Sequence, residues 1–320
     1  MGKGTTAPML VSVVIPARDE AGGITRTVKA VLAQRIPGIG LEVLVVNDGS
    51  SDDTAAAARL AGARVIELNG SPGNPGAARN RGAAETKGDP IVFLDADCEP
   101  RAGWLHALLS AHAEGVTAVG GAIEAAPGQK LAARCSHFSS SYHVHALRTR
   151  GIVRNHPPAN LSVRRGVFRS TAGFSEQLPV ADGHEELGWQ AELREAGQNI
   201  VFEPSAVVQH RNRDGWLDLF RRNYRWAYSA IRSKSGSDAV RFGWLYKQPI
   251  LLIMAAPALV LAHTAYTVAC WARAGVLEPL LMLPALLAAR LAYGAGLVVG
   301  GVRWIAQPGI ESRPFGGRWR

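Results

Sequence analysis

The sequence predicts an α/β fold: a mostly parallel sheet flanked by helices, followed by a basic amphipathic helix and an apolar helical hairpin. Three observations carry this. Short β-branched runs alternate with helical stretches over residues 10–100. Residues 211–247 mix nine Lys/Arg and three Asp with aromatic side chains. Gln248 to Ala272 then runs 25 residues without a charge, and Pro279 to Val302 runs 24 more interrupted only by Arg290.

The elements follow in order. Leu10 to Pro16 (LVSVVIP) is β-branched and apolar, as a buried strand requires, and Ala17 to Gly23 turns out of it. Ile24 to Gln34 is helical. Leu41 to Val46 is a second strand, ending in the cap and turn residues Asn47 to Asp52. Thr54 to Ala61 is an alanine-rich helix, and Ala63 to Leu68 a third strand. A Gly/Pro loop, Gly70 to Gly76, leads to a helix over Ala77 to Thr86. Ile91 to Leu94 is the fourth strand. It ends in Asp95-Ala96-Asp97, whose two carboxylates share one side of an extended backbone. Such a pair suits a hard divalent cation that bridges to phosphates, or it simply ends the strand as an acidic turn.

At 320 residues the chain has room for one large domain with an appendage. Each apolar run is long enough to cross a bilayer, and core helices of that length are usually amphipathic. No secretory signal is expected, since Pro8 to Pro16 reads better as a strand. The opening MGKGTT fits the short myristoylation pattern through Gly2 and Thr6, which chance often matches. Cys98, Cys135 and Cys270 form no even framework and suit a reducing compartment. Cys135, His137, His143 and His145 match no familiar zinc spacing.

In a parallel sheet, ligands sit beyond the carboxyl ends of the strands. Pro16 to Glu20, Asp48 and Asp95 with Asp97 all fall there. No G-x-G-x-x-G follows a strand and no phosphate loop is present, so a nucleotide would be held by carboxylates, backbone and a metal.

VSVVIPARDE, VVNDGSSDDT, PGAARNRGA and FLDADC, in that order over residues 10–100, resemble the nucleotide-sugar half of family 2 glycosyltransferases of the GT-A fold. The resemblance implies that Pro16, Arg18 and Glu20 line the base and ribose, and that Asp48 meets a uracil or guanine edge. It implies that Gly76, Arg79 and Asn80 lie near the nucleotide. Asp95 would face the ribose and Asp97 a Mg2+ or Mn2+ ion, with Ala96 between them. In several related enzymes a His near His210 joins the metal.

The segment Ala159 to Arg165, with Asn160, resembles the strand before the acceptor helix, and Gly173-Phe174 the loop after it. The family then carries an acidic pair that opens a helix. Counting back from Arg194-Glu195-Ala196-Gly197 places it at Glu185-Glu186; counting forward from Pro179-Val180 places it at Asp182. The helix anchor needs fewer insertions, so Glu186 is the expected base with Glu185 beside it. A Glu-Glu pair departs from the usual Glu-Asp. Read without the resemblance, the same pair is a first helical turn stabilised by the dipole.

Arg222, Arg225 and Trp226 fit the Q/R-x-x-R-W motif that related lipid-modifying and processive enzymes place near the acceptor and diphosphate. The same arginines also suit anionic lipid. Nucleic acid is not expected, because no recognition motif accompanies the basic patch. The basic flanks, Arg221–Lys247 and the tail with Arg303, Arg313, Arg318 and Arg320, are expected on the cytoplasmic side of an inner membrane. Arg290 in the second apolar run faces protein or a polar headgroup, or marks a broken, shallow helix that Pro284 and Gly294, Gly296, Gly300 and Gly301 would permit.

The expected organisation is a catalytic domain over 1–210, an interfacial region over 211–247, two membrane helices over 248–304 and a basic tail over 305–320. The expected activity is inverting transfer from a UDP- or GDP-sugar to a lipid or polyprenyl-phosphate acceptor. Synthesis of an envelope polysaccharide, and a catalytically silent nucleotide-sugar scaffold, are the alternatives.

Overall fold

The computed structural model describes residues 9–68, 73–176, 184–235 and 243–306. Gly2, Thr6, Asp182, Arg313, Arg318 and Arg320 lie outside the described residues, as do residues 70–72 of the 70–76 loop. In chain order the first elements are β1 (Met9–Ala17), α1 (Ile24–Leu32), β2 (Ile39–Asn47), α2 (Thr54–Leu60), β3 (Arg64–Glu67), α3 (Pro75–Glu85), β4 (Ile91–Leu94), β5 (Cys98–Pro100), α4 (Trp104–Ala113) and β6 (Ala118–Ala125). Then come α5 (Leu131–Ser140), β7 (Gly151–Val153), β8 (Asn160–Val163), α6 (Arg165–Arg169), α7 (Leu187–Glu195) and β9 (Ile200–His210). The C-terminal helices are α8 (Trp216–Ser235), α9 (Gly243–Tyr246), α10 (Pro249–Arg273), α11 (Glu278–Leu281) and α12 (Leu283–Ala306).

The chain forms two compact units. One comprises Met1–Ala122, Arg150–Gly173 and Gln198–Gln209; the other Ile123–Thr149, Phe174–Gly197 and His210–Arg320. The second thus recruits two segments from the stretch that the sequence reads as one catalytic domain.

The first unit is built on the sheet, ordered β3-β2-β1-β4-β8-β6-β9-β5, with β7 on β9. β3, β2, β1 and β4 are parallel. β8 runs antiparallel to both β4 and β6. The sheet is therefore mixed: its parallel character stops where β8 enters beside β4. Val11, Val13, Val14 and Ile15 of β1, and all of β4, are buried, as expected of strands covered on both faces. α3 lies close on this sheet because Gly82 has no side chain. A Cβ there would stand 2.3 Å from Val14 Cγ1.

The second unit is mostly helical. α10 and α12 are long and apolar enough to cross a membrane. They pack antiparallel: a Cβ on Gly294 would meet Val260, and one on Gly301 would meet Ile253. α8 runs alongside α12, where a Cβ on Gly296 would stand 2.2 Å from the Tyr224 carbonyl oxygen, and one on Gly300 2.7 Å from that of Tyr228. These glycines do not break the helix. α12 is continuous, and its small residues admit α8 and α10 to close contact. Leu219, Ala227, Ala230 and Ile231 form the buried stripe of α8.

The turn between α10 and α12 docks on α5. Glu278 pairs with Arg134, Trp271 Nε1 donates to the Phe138 carbonyl at 2.9 Å, and Met282 meets Cys135. His137 and His145 stack on Trp271 with ring centroids 5.5 and 4.5 Å away. On the opposite side of the hairpin, Ile250, Met254, Leu261, Leu291 and Val302 are exposed. Outer faces of water-facing helices are normally polar, and this one is not.

Candidate active site

The donor-side residues are set by the ends of the parallel strands. Asp48 follows β2 and donates its backbone N–H to the Ala17 carbonyl at 2.9 Å. Its side chain is 3% exposed. Burial pushes the Asp48 carboxyl above its usual range, while the N–H groups of Gly73 and Asn74 and the charge of Arg18 pull it back. Among the described residues its Oδ1 is buried without a hydrogen-bond partner. A buried acceptor of this kind is costly unless a donor meets it.

The loop after β1 is laced to the loop after β2. Asp19, at φ +53°, accepts from the Ser51 N–H at 2.7 Å, and its own N–H donates to Ser50 Oγ at 3.1 Å. The Glu20 N–H donates to Thr54 Oγ1 at 2.7 Å, and the Ala21 N–H to Asp52 at 3.1 Å. Arg18 stays half-exposed beside Asp19, and Pro16 pairs with Val46 one step before the register ends at Ala17 and Asn47. α3 begins at Pro75-Gly76, capped by Asn74, whose Oδ1 accepts from the Ala77 N–H at 3.0 Å.

α3 carries Arg79 inward. It is 4% exposed, and its Nη2 donates to Asp95 Oδ1 at 2.7 Å. Asn80, one residue on, stands against Gly173, where a Cβ would lie 2.7 Å from Asn80 Oδ1. The expectation that Asp95 and Asp97 share one extended strand is corrected. β4 stops at Leu94, a turn runs through Ala96 and Asp97, and β5 begins at Cys98. The Cys98 N–H closes that turn on the Asp95 carbonyl at 3.1 Å, and Thr27 Oγ1 holds the Ala96 carbonyl at 2.7 Å. Two carboxylates on one tight turn still give a hard oxygen donor set, and a divalent cation fits that chemistry.

Asn160 is corrected more sharply. It is fully buried, donates Nδ2 to the Ala122 and Ala206 carbonyls at 2.9 and 2.8 Å, and accepts from Trp104 Nε1 at 2.8 Å. Both amide hydrogens and the oxygen hold the sheet together, so Asn160 offers nothing to a ligand.

In the second unit, Glu185 and Glu186 open α7, with Glu186 at its N-cap and both 8% exposed. The Glu185 carbonyl accepts from the Ser175 N–H and the Glu186 carbonyl from the Gln190 N–H, each at 2.9 Å. Gly173-Phe174 leads into this corner, and the Phe174 ring packs 5.3 Å from Trp189. His210 ends β9, its carbonyl held by the Ala126 N–H at 3.1 Å and Gln129 Nε2 at 2.6 Å. On α8, the Arg222 guanidinium lies 5.0 Å from the Trp226 ring centroid and reaches Asn212 Oδ1 at 3.4 Å, while Arg225 is exposed.

Carboxylates at the ends of parallel strands, with an arginine clamped to one of them, are the chemistry of a site for a polar ligand beyond the sheet. Residues 12–170 match the Glycosyl transferase family 2 model, and the chain belongs to that family. It is 29% identical over 228 residues to Glycosyltransferase AglE of Haloferax volcanii, covering 69% of this chain and 73% of that protein. It is 32% identical over 231 residues to Pre-mycofactocin glycosyltransferase of Mycobacterium tuberculosis, covering 69% of this chain. It spans only 46% of that relative's length. The fold is GT-A. Mannosyltransferase PcManGT from Pyrobaculum calidifontis, solved with GDP-Man and Mn2+, superposes with a TM-score of 0.56 at 20% identity, over 96% of this chain and 89% of that one.

Proposed function

We propose that this protein is a membrane-bound inverting glycosyltransferase, moving a sugar from a UDP- or GDP-sugar to a lipid or polyprenyl-phosphate acceptor at the cytoplasmic membrane face. The observation that carries the donor half is the buried Oδ1 of Asp48, without a hydrogen-bond partner among the described residues, together with the Arg79–Asp95 pair at the end of β4 in the same parallel sheet. A pyrimidine or guanine N–H supplies the donor that oxygen lacks. Arg18 and Glu20 follow the neighbouring strand β1, and Asp95 receives the ribose hydroxyls.

Asp97, with Asp95 and His210, would hold Mg2+ or Mn2+. When bound, such an ion neutralises charge developing on the leaving diphosphate. The chain's own residues do the rest. Glu186 takes the proton of an acceptor hydroxyl as its oxygen bonds to the anomeric carbon and the bond to the diphosphate breaks. A hydroxyl is a poor nucleophile near neutral pH, which is why a carboxylate is needed there. Arg222, Arg225 and Trp226 serve the diphosphate and acceptor side.

The exposed apolar faces of α10 and α12 support membrane attachment. A hairpin that crosses the bilayer carries its turn to the face opposite its ends. The docking of the turn on α5 favours a second reading, in which the hairpin is seated in one leaflet. Five residues, 126–130, join β6 to α5, a reach of about 18 Å against a hydrocarbon core of about 30 Å. A cysteine at Ala274, with Cys270 changed to Ser, separates the two by labelling sealed vesicles with an impermeant maleimide.

The activity is tested by offering UDP- and GDP-sugars with extracted lipids to purified membranes and weighing the products by mass spectrometry. A glycosylated lipid is expected. A soluble polymer would support the polysaccharide reading, and donor binding without any turnover the silent scaffold.

A further inference from the structure

Cations taken out of water are costly unless an opposite charge meets them. The second unit places two together without one. Arg290, midway along α12, is 6% exposed. Its Nη2 donates to the Ser139 carbonyl at the end of α5 and to Thr267 Oγ1 at 3.5 Å. Lys234, half-buried near the end of α8, donates to the Tyr293 hydroxyl at 3.4 Å and lies 5.3 Å from the Tyr246 ring centroid. The Arg290 guanidinium is 6.0 Å from the Tyr293 centroid, so one phenol is shared between both cations. Tyr142 completes the group: its hydroxyl stands 3.2 Å from His263 Nε2, and the His263 ring is 6.3 Å from that of Tyr293. Among the described residues, neither Lys234 nor Arg290 forms an ion pair.

Five elements (α5, α8, α9, α10 and α12) therefore converge here, and among the described residues no carboxylate pairs with either cation. Among the described residues the hydrogen bonds of Arg290 leave from Nη2, which keeps Nε and Nη1 for a ligand. Tyr246 and Tyr293 also pack against the apolar cluster of Ala227, Ile231, Leu252 and Leu297. Tyr266, 5.8 Å from the Tyr142 ring, is 53% exposed, so the group reaches the surface. Cations beside an apolar wall, open at one edge, match an anion carried on a hydrocarbon.

We propose that Lys234, Arg290, Tyr142 and Tyr293 form a binding site for a phosphate monoester, supplied by an isoprenoid phosphate headgroup or by inorganic phosphate. Two cations match the charge of about −1.5 to −2 on a phosphate monoester, which a single carboxylate would leave half-compensated. The site rests on the reading of the protein as a transferase to phosphorylated lipid.

The test uses the full chain in detergent and measures binding of farnesyl phosphate, inorganic phosphate and farnesol, with UDP and GDP titrated in parallel. Farnesyl phosphate should bind, and farnesol at least about tenfold more weakly, because only the former brings charge-assisted bonds. Lys234→Gln and Arg290→Gln should each weaken farnesyl phosphate by about tenfold or more, with Lys234→Arg retaining most affinity and nucleotide binding unchanged. Should Arg290→Gln not fold, the half-buried Lys234 carries the test. Tighter binding of farnesyl phosphate than of inorganic phosphate identifies the lipid source; equal binding identifies the free anion. Farnesol binding as well as its phosphate, or Lys234→Gln leaving the phosphate affinity intact, overturns the site. A chain that binds neither nucleotide would overturn the transferase reading instead, and the phosphate result would stand separately.

Discussion

The two units handle charge in opposite ways. In the first, carboxylates stand at the ends of parallel strands and are matched locally: Asp95 by Arg79, and Asp19 and Asp52 by hydroxyls and backbone N–H groups. In the second, cations and phenols gather from separate helices around Arg290 and Lys234, while Glu278 pairs with Arg134 and an acidic pair opens α7. The first arrangement suits an uncharged base and ribose read by acceptors. The second suits an anion. A donor site can be written in contiguous motifs because each strand end delivers its own loop; an anion site shared by five helices cannot.

The largest expected effect lies in the first unit. Asp97→Ala removes an oxygen donor from the β4–β5 turn and should lower turnover by at least about 10³-fold. The turn's backbone bonds remain, so thermal stability should change little. Turnover that survives both this substitution and a chelator would break the metal-dependent reading of the donor half.

In the second unit, Glu186→Gln keeps shape and hydrogen bonding but cannot accept a proton. Against a hydroxyl acceptor it should lower turnover by roughly 10²–10⁴-fold with donor affinity unchanged. If Glu186→Gln stays active while Asp182→Asn is dead, the base belongs to the segment outside the described residues. Arg225→Ala sharpens the comparison from the cationic side. In detergent, where lipid anchoring no longer matters, it should lower turnover roughly tenfold or more while donor affinity holds, as expected of a charge acting on a leaving diphosphate. Near-normal turnover would leave Arg225 as a lipid anchor.

The positions of Pro16, Asp48 and Asp95 in the fold were legible because they sit at predictable strand ends, whereas Arg79 lies within α3 and was pointed to only by the resemblance. Two details were not legible. The spacing of Asp95 and Asp97 suggests an extended strand, yet Ala96 turns because β5 must start at Cys98 to pair with β9. Asn160 reads as a ligand residue, but its amide faces three partners that come from β6, β9 and α4, which no local pattern reveals. In the second unit, Arg290 was visible as an oddity in an apolar run. Its partners Ser139 and Thr267 lie 151 and 23 residues away, so its role was not. The glycines of α12 look like helix breakers in isolation and become contact surfaces once α8 is beside them.

A smaller effect tests that contact. In Gly296→Ala the new methyl meets the Tyr224 carbonyl oxygen at 2.2 Å and Ala227 Cβ at 2.9 Å, so α8 and α12 must part. Overpacking of this kind costs about 1–3 kcal/mol. The denaturation midpoint should fall for the second unit while nucleotide affinity in the first is retained. An unchanged midpoint would mean that α8 does not seat on α12 in solution.

The smallest effect separates the units by pH. In the first, His112 is buried, its Nδ1–H donating to the Val116 carbonyl and its Nε2 accepting from Ser162 Oγ, both at 2.7 Å. Burial lowers it to about 4. In the second, burial lowers His137 to about 3, helped by the charges of His210 and His145, and His145 itself to about 4. Each ring is neutral when folded and gains a proton more readily when unfolded, at an ordinary value near 6.5. The stabilisation is therefore complete above pH 6.5 and is lost as pH falls from there toward the folded values. Between pH 7 and pH 5.5 each ring should cost roughly 1 kcal/mol. Burial lowers His143 and His184 of the second unit as well, to about 4 and about 3, so the second unit, which holds more such rings, should lose hydrogen-exchange protection first on mild acidification. Peptides of the first unit opening earlier, or both units opening together, would show that these rings do not set the order.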